Sequence, residues 1–288
     1  SSRGLGDVYK RQKDILPWNI IWDSLSNSDF TELQDKIVDK NQLGDSANLT
    51  MYMRGGLVKK QLITQLANLA PKGGAKFSMV AHVGDEFDLG MMTPKKHKLT
   101  FSKKGSKITG VTKAFDFINE LLLEIQDVGL LLEGYKKGVK YPLTEADRGE
   151  DARDLLELTV VATRNKSGQT GTKISWLLSQ REGLLPHLSM FKYIKDANFG
   201  IDGNVQTYQL ALVPEINLSR TKVRGKINEN YCLRRALEIQ SEMKQMQDLW
   251  VLQDHWKITP QELYSKVKAA GYNWDCLLYT SDAADEAK

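Results

Sequence analysis

The chain has 288 residues, with 40 lysines and arginines against 36 acidic residues and a formal net charge of +4. A surplus this small does not by itself imply nucleic acid, although its clustering can. No stretch is apolar for long enough to span a membrane. The best candidate, residues 121–132, is broken by Glu124, Gln126 and Asp127.

The first segment in chain order is best read with the last. Asp7-Val8-Tyr9-Lys10-Arg11-Gln12 can be encoded by GAT GTG TAT AAG AGA CAG. The reverse complement, read one base out of frame, encodes Cys-Leu-Leu-Tyr-Thr-Ser, which is residues 276–281. Residues 1–12 and 276–288 therefore read as translated sequencing-library adapters, and they are set aside from fold reasoning as a tag would be. The natural segment is then 13–275, cut by fragmentation of a longer gene. Cys276 falls in an adapter, which leaves Cys232 alone. One cysteine permits neither an internal disulfide nor a zinc cluster and suits a reducing compartment.

Trp18-Asn19-Ile20-Ile21-Trp22-Asp23-Ser24 is an apolar run ending in a carboxylate and a hydroxyl. A buried strand of this kind delivers a magnesium-site Asp to the mouth of a nucleotide pocket. The Gly-rich phosphate loop that should precede it is absent. Gly168-Gln169-Thr170-Gly171-Thr172-Lys173 has the wrong spacing and order. After a polar stretch at 26–45, residues 46–69 read as a helix with Leu49, Met53, Leu57, Leu62, Leu66 and Leu69 on its apolar side, although Gly55-Gly56 weakens it. Pro71-Lys72-Gly73-Gly74 is a turn. Phe77-Ser78-Met79-Val80-Ala81 is a short buried strand ending at His82-Val83-Gly84.

Residues 89–113 hold no acidic residue and seven lysines: Lys95, Lys96, Lys98, Lys103, Lys104, Lys107 and Lys113. Such a run repels itself unless an anion sits among the charges. Its glycines give flexibility, and Met91, Met92 and Phe101 give faces on which bases can pack. The pattern suits single-stranded DNA; the alternative is a solvated surface segment. Residues 114–125 are a helix, or a helix running into a strand, and 127–154 a loop-rich connection. Residues 155–162 and 173–178 are strands. The link between them begins Thr163-Arg164-Asn165-Lys166 and is too long for a tight hairpin. Glu182-Gly183 follows. Beyond 190 come a basic stretch at 219–226, a helix at 229–250, and a helix opened by Thr259-Pro260-Gln261-Glu262, with Thr as N-cap, and stopped near Gly271.

This order resembles the ATPase core of RecA-type DNA recombinases, above all the phage UvsX-like branch, over residues 18–185. The resemblance implies an α/β P-loop ATPase core, with a central mostly parallel sheet flanked by helices, truncated at the N-terminus. Residues 13–190 would be the C-terminal part of that core and 191–275 a small, mostly helical region. It implies that Asp23, with Ser24 beside it, holds magnesium through water in an ATP site. It implies that residues 33–46 are a first DNA-binding loop and that His82 senses the γ-phosphate. Residues 84–113 would be a second DNA-binding loop, with Lys95, Lys96, Lys98, Phe101, Lys103, Lys104 and Lys107 on the DNA. Arg164 and Lys166 would act on a neighbouring subunit's ATP. The expected partners are single-stranded DNA and further copies of the chain, in a filament or ring, without a membrane. The parent protein would be a DNA-dependent ATPase that promotes strand exchange, and the fragment alone would be inactive.

Plainer readings stand beside these. Asp23 can be an ordinary strand-ending Asp, His82 a satisfied core histidine, and Arg164-Asn165-Lys166 a basic hairpin tip. Cys232 reads as a small buried hydrophobe, Trp18 and Trp22 as packing residues, and His97 and His187 as solvated or structural. Two rival functions are a hexameric DnaB-like replicative helicase and a non-catalytic DNA-binding recombination mediator.

Overall fold

The computed structural model describes residues 18–27, 45–85, 99–109, 115–134, 138–149, 152–204, 206–249, 257–272 and 274. The adapter-like ends, the first-loop residues 33–44 and the lysines at 95, 96 and 98 lie outside them. The chain divides into two compact units, one comprising residues up to Leu122 together with Thr163–Asn165, the other Leu123–Ala162 and the residues from Lys166 onward.

In the first unit, β1 (Trp18–Trp22) and β2 (Ala75–Met79) pair in parallel, with Trp18 opposite Ala75 and Trp22 opposite Met79. Parallel neighbours need a crossover, and the helix α1 (Asp45–Leu69) lies in it. The glycine pair at 55–56 does not interrupt α1. Gly74 ends the crossover at φ +65°, a conformation that glycine adopts at little cost. The core is small: Leu25, Ile63 and Phe115 are buried, with Trp22, Met79, Ile108, Ile118 and Leu122 against them. Two expectations are corrected here. β1 is not buried, since Trp18 and Ile21 are 66% and 68% exposed, and only Trp22 of the two tryptophans packs inward. On α1, among the residues whose side chains are described, Ile63 is buried and Leu62 and Leu66 are half-buried, while Leu57 and Leu69 are exposed; Leu49 and Met53 lie outside them. The short strands β3 (Val83–Asp85) and β4 (Ser106–Ile108) form an antiparallel ribbon, followed by the short helix α2 (Phe115–Ile118).

The largest sheet has the order β5 (Leu121–Leu130), β6 (Leu155–Asn165), β7 (Lys173–Ser179), β8 (Gly183–Leu184). Its β6–β7 and β7–β8 pairs are antiparallel. The fold is thus mixed α/β. The central, mostly parallel sheet of the expectation is not seen among the described residues, where β1–β2 is parallel and β3–β4, β6–β7, β7–β8 and both pairs among the strands at 201–218 are antiparallel. The reason is local: the link after Asn165 is too short to hold a crossover, so β7 must return alongside β6. β5 sits at the sheet edge with an inverted alternation. Glu124 and Gln126 are half-buried, while Leu121, Leu123 and Ile125 face out.

Helix α3 (Pro186–Asp196) packs on β7. A meander of β9 (Ile201–Gly203), β10 (Tyr208–Leu210) and β11 (Val213–Leu218) follows, so the region beyond 190 is not helical throughout. Helices α4 (Val223–Glu229), α5 (Tyr231–Leu249) and α6 (Pro260–Ala269) complete the unit. Phe191 lies edge-on to both Tyr141 and Tyr208, at 6.1 and 5.7 Å, in a core that includes Leu155, Leu177, Leu210 and Leu233. Cys232 is half-buried against it. The expected capping box is present: Thr259 Oγ1 accepts from the Glu262 amide at 3.2 Å, and Glu262 accepts from the Thr259 amide at 2.8 Å. Trp274 packs edge-on to Tyr264 and donates its indole N–H to the Leu212 carbonyl at 2.8 Å.

A buried ionic network joins distant parts of this unit. Arg224, 2% exposed, donates from both Nη atoms to Asp154 Oδ2 at 3.1 Å and also pairs with Glu182. Ser179 Oγ donates to Asp154 at 2.9 Å, and Arg181 bridges Asp154 and Asp147. Burial alone would push the Asp154 carboxyl up. Hydrogen bonds from Arg181, Ser179 and Arg224 outweigh it and hold the group down at about 2. Asp147 is likewise held below the ordinary range, since the amides of Thr144 and Leu143 and the Arg181 guanidinium outweigh its burial.

Candidate functional site

Because β1 and β2 run in parallel and in register, the residues that follow them emerge at the same carboxyl edge, the place where open α/β sheets bind ligands. Asp23 follows β1 and His82 follows β2 by a short extension. The extension is held to the Asp23 turn by backbone hydrogen bonds: the Val80 amide donates to the Trp22 carbonyl at 2.9 Å, and the Leu25 amide to the Val80 carbonyl at 2.8 Å. Asp23 and His82 are exposed and Ser24 is half-buried. An exposed ring does not fit the core-histidine alternative.

Ser26, in the 3-10 turn Leu25–Asn27, ties this edge together. Its hydroxyl accepts from the His82 amide at 2.8 Å and donates to the Thr109 carbonyl at 2.8 Å. The Thr109 amide and hydroxyl in turn donate to the His82 carbonyl, at 2.8 and 3.1 Å. Thr109 directly follows β4, so His82 and Thr109 are the entry and exit of the β3–β4 ribbon. The described part of the lysine-rich segment lies within that ribbon. Phe101 is 45% exposed, and Lys103, Lys104 and Lys107 are exposed. Two serine hydroxyls shape it: Ser102 donates to the Leu99 carbonyl at 2.8 Å and Ser106 to the Lys103 carbonyl at 2.6 Å. Gly105 turns the chain at φ +77°.

Arg164 is not in the link between β6 and β7, where the sequence places it, but near the end of β6, which outruns the register with β7. It is half-buried. Its Nε donates to the Asn119 carbonyl at 3.2 Å, and its guanidinium lies 5.7 Å from the Phe117 ring centre. Lys166 starts the link and is exposed; it belongs to the second unit. Glu182 pairs with Arg224 in the buried network. His187, read as solvated or structural, is half-buried and bonded to Glu238 at 2.9 Å.

Among the described residues no group of three or more His, Cys, Asp or Glu could hold a metal ion by itself. A lone rim carboxylate such as Asp23 does fit magnesium, which keeps several of its waters and is shared with substrate phosphates. No helix of the described residues is long and apolar enough to cross a membrane. Sequence reasoning missed Ser26. A serine three residues after a strand-ending Asp has no signature, and its partner lies 83 residues away. No family model matches the chain, and comparison with curated proteins finds no match.

Proposed function

We propose that the chain is part of an ATP-dependent DNA recombination and repair protein of the RecA type, which binds single-stranded DNA and promotes strand exchange. One observation carries the reading. Asp23 and His82 emerge at the same edge of a parallel strand pair, and the chain passes directly from His82 into a ribbon presenting Phe101, Lys103, Lys104 and Lys107. A carboxylate and an imidazole on one rim suit a magnesium–phosphate group. Exposed cations and an exposed aromatic ring on one ribbon suit a nucleic-acid strand, since phosphates meet the charges and a base stacks on the ring.

In this reading Asp23, beside Ser24, holds magnesium through water, His82 faces the phosphate end, and Arg164 and Lys166 serve a neighbouring copy's nucleotide in a filament or ring. Bound ATP supplies the free energy that changes DNA affinity. The residues of this chain orient it and offer cations to DNA. Apolar side chains exposed on β1 and along β5 favour a further layer of protein over both, in keeping with a fragment of a longer chain.

The test is a salt titration of this chain with a fluorescent oligothymidylate. Each lysine that meets a phosphate contributes a slope of roughly −0.7 in the log–log plot. Changing Lys103, Lys104 and Lys107 to Ala should flatten the slope by up to about 2 and weaken binding. An unchanged slope and affinity would remove the DNA reading. The chain lacks a phosphate loop, so steady DNA-stimulated phosphate release by the purified chain would refute the fragment reading.

A further inference from the structure

We propose that Ser26 is a positioning residue that couples the turn carrying Asp23 to both ends of the lysine-rich ribbon. This rests on the DNA-binding reading above. A serine hydroxyl has one proton to give and two lone pairs to offer. Ser26 spends the proton on Thr109, the ribbon's exit, and a lone pair on the amide of His82, its entry. Thr109 returns two hydrogen bonds to the His82 carbonyl, so three segments far apart in sequence close into one ring. The ring extends the β3–β4 ladder by one step beyond the Val83–Ile108 pair. Ser26 lies three residues from Asp23, inside a turn whose Leu25 side chain is fully buried and whose Leu25 amide is bonded to Val80. A displacement of the Asp23 turn therefore moves the Ser26 hydroxyl, and the hydroxyl pulls on entry and exit together. Gly84 leaves no slack at this root, since a Cβ there would lie 2.9 Å from the Thr109 methyl. The ribbon then cannot shift at one end alone, and a ligand held by Asp23 is felt where the lysines are presented.

The experiment compares this chain with its Ser26→Ala and Ser26→Thr variants, by amide hydrogen exchange and by anisotropy with a fluorescent oligothymidylate. In Ser26→Ala the amides of His82 and Thr109 should both exchange faster, by roughly 3–10-fold, the factor equivalent to one net hydrogen bond. DNA affinity should fall by a similar factor while the salt slope stays at its wild-type value, because the lysines are untouched. Ser26→Thr keeps the hydroxyl and should restore both readouts. Faster exchange at His82 with Thr109 unchanged would overturn the coupling, because the Thr109 amide does not itself bond to Ser26. A threonine variant that behaves like the alanine variant would overturn it too. If the wild-type chain fails to bind the oligonucleotide, the recombinase reading falls, while the exchange comparison still decides whether Ser26 couples the segments.

Discussion

Replacing Arg224 by Met should cost the second unit about 3–5 kcal/mol, the range for breaking a buried ion pair by removing one partner. Methionine replaces much of the methylene stem, so the loss is mainly electrostatic. Arg224 is 2% exposed and gives two hydrogen bonds to Asp154 and one to Glu182. Charge-assisted bonds contribute roughly 1.5–3 kcal/mol each. Their sum overshoots, because Arg181 and Ser179 still hold Asp154, and Glu182, on the rim, can turn to water. The lower end, about 3 kcal/mol, is therefore expected. Asp154→Asn should cost a similar amount, since it leaves Glu182 as the one carboxylate paired with Arg224. Urea unfolding, followed through amide exchange of β6 and β7, measures both. In the double variant the two costs should fall short of additivity by at least about 1 kcal/mol, because each single change has already broken the shared pair. A single-variant cost below about 1 kcal/mol, or full additivity, would refute the view that this network holds the unit together.

The same network sets an acid limit. The folded-state value for Asp154 is lowered to about 2, so its contribution is fully present above the unfolded value and is lost as pH falls through the folded one. Stability of the second unit should be level from neutral pH to about 4 and then drop by about 2 kcal/mol toward pH 2, with Asp147 acting in the same direction; acid-series urea midpoints that stay level would contradict this. Thr259→Ala should cost about 1 kcal/mol by removing the cap of α6, seen as faster exchange confined to that helix. Equal acceleration in β6 and β7 would show that α6 does not open on its own.

Regular elements were legible where the pattern was long or the chemistry local. The first helix, read as 46–69, is Asp45–Leu69, and the Thr259–Glu262 box announced α6 without knowledge of anything distant. The strands read at 155–162 and 173–178 are β6 and β7, one of them extended by three residues because a strand can outrun its partner. Elements of three residues, such as β9 and β10, are too short to show a period. β5 was cut short because the apolar pattern ends at 125 and Asp127 reads as the start of a loop, whereas the strand runs on to Leu130 with Glu124 and Gln126 half-buried. At the candidate site the sequence showed a strand ahead of Asp23 and another ahead of His82, and the parallel pairing of the two is what puts both residues at one edge. Ser26, and the capture of Glu182 by Arg224, depend on partners that no local pattern names.

The indole of Trp274 gives the second unit a built-in optical reporter. Its ring lies edge-on to Tyr264 of α6, and its N–H is committed to the Leu212 carbonyl, in the turn between β10 and β11. Helix and meander, 62 residues apart at that bond, are therefore clasped at a single aromatic side chain. Loosening the clasp hands the indole N–H to water, and indole emission shifts to the red when the ring meets solvent. Replacing Trp274 by Phe keeps an aromatic ring against Tyr264 while deleting the donor and the rest of the indole. The difference in emission between the two proteins isolates the signal of this one residue, so undocking of α6 can be followed in real time without any attached dye.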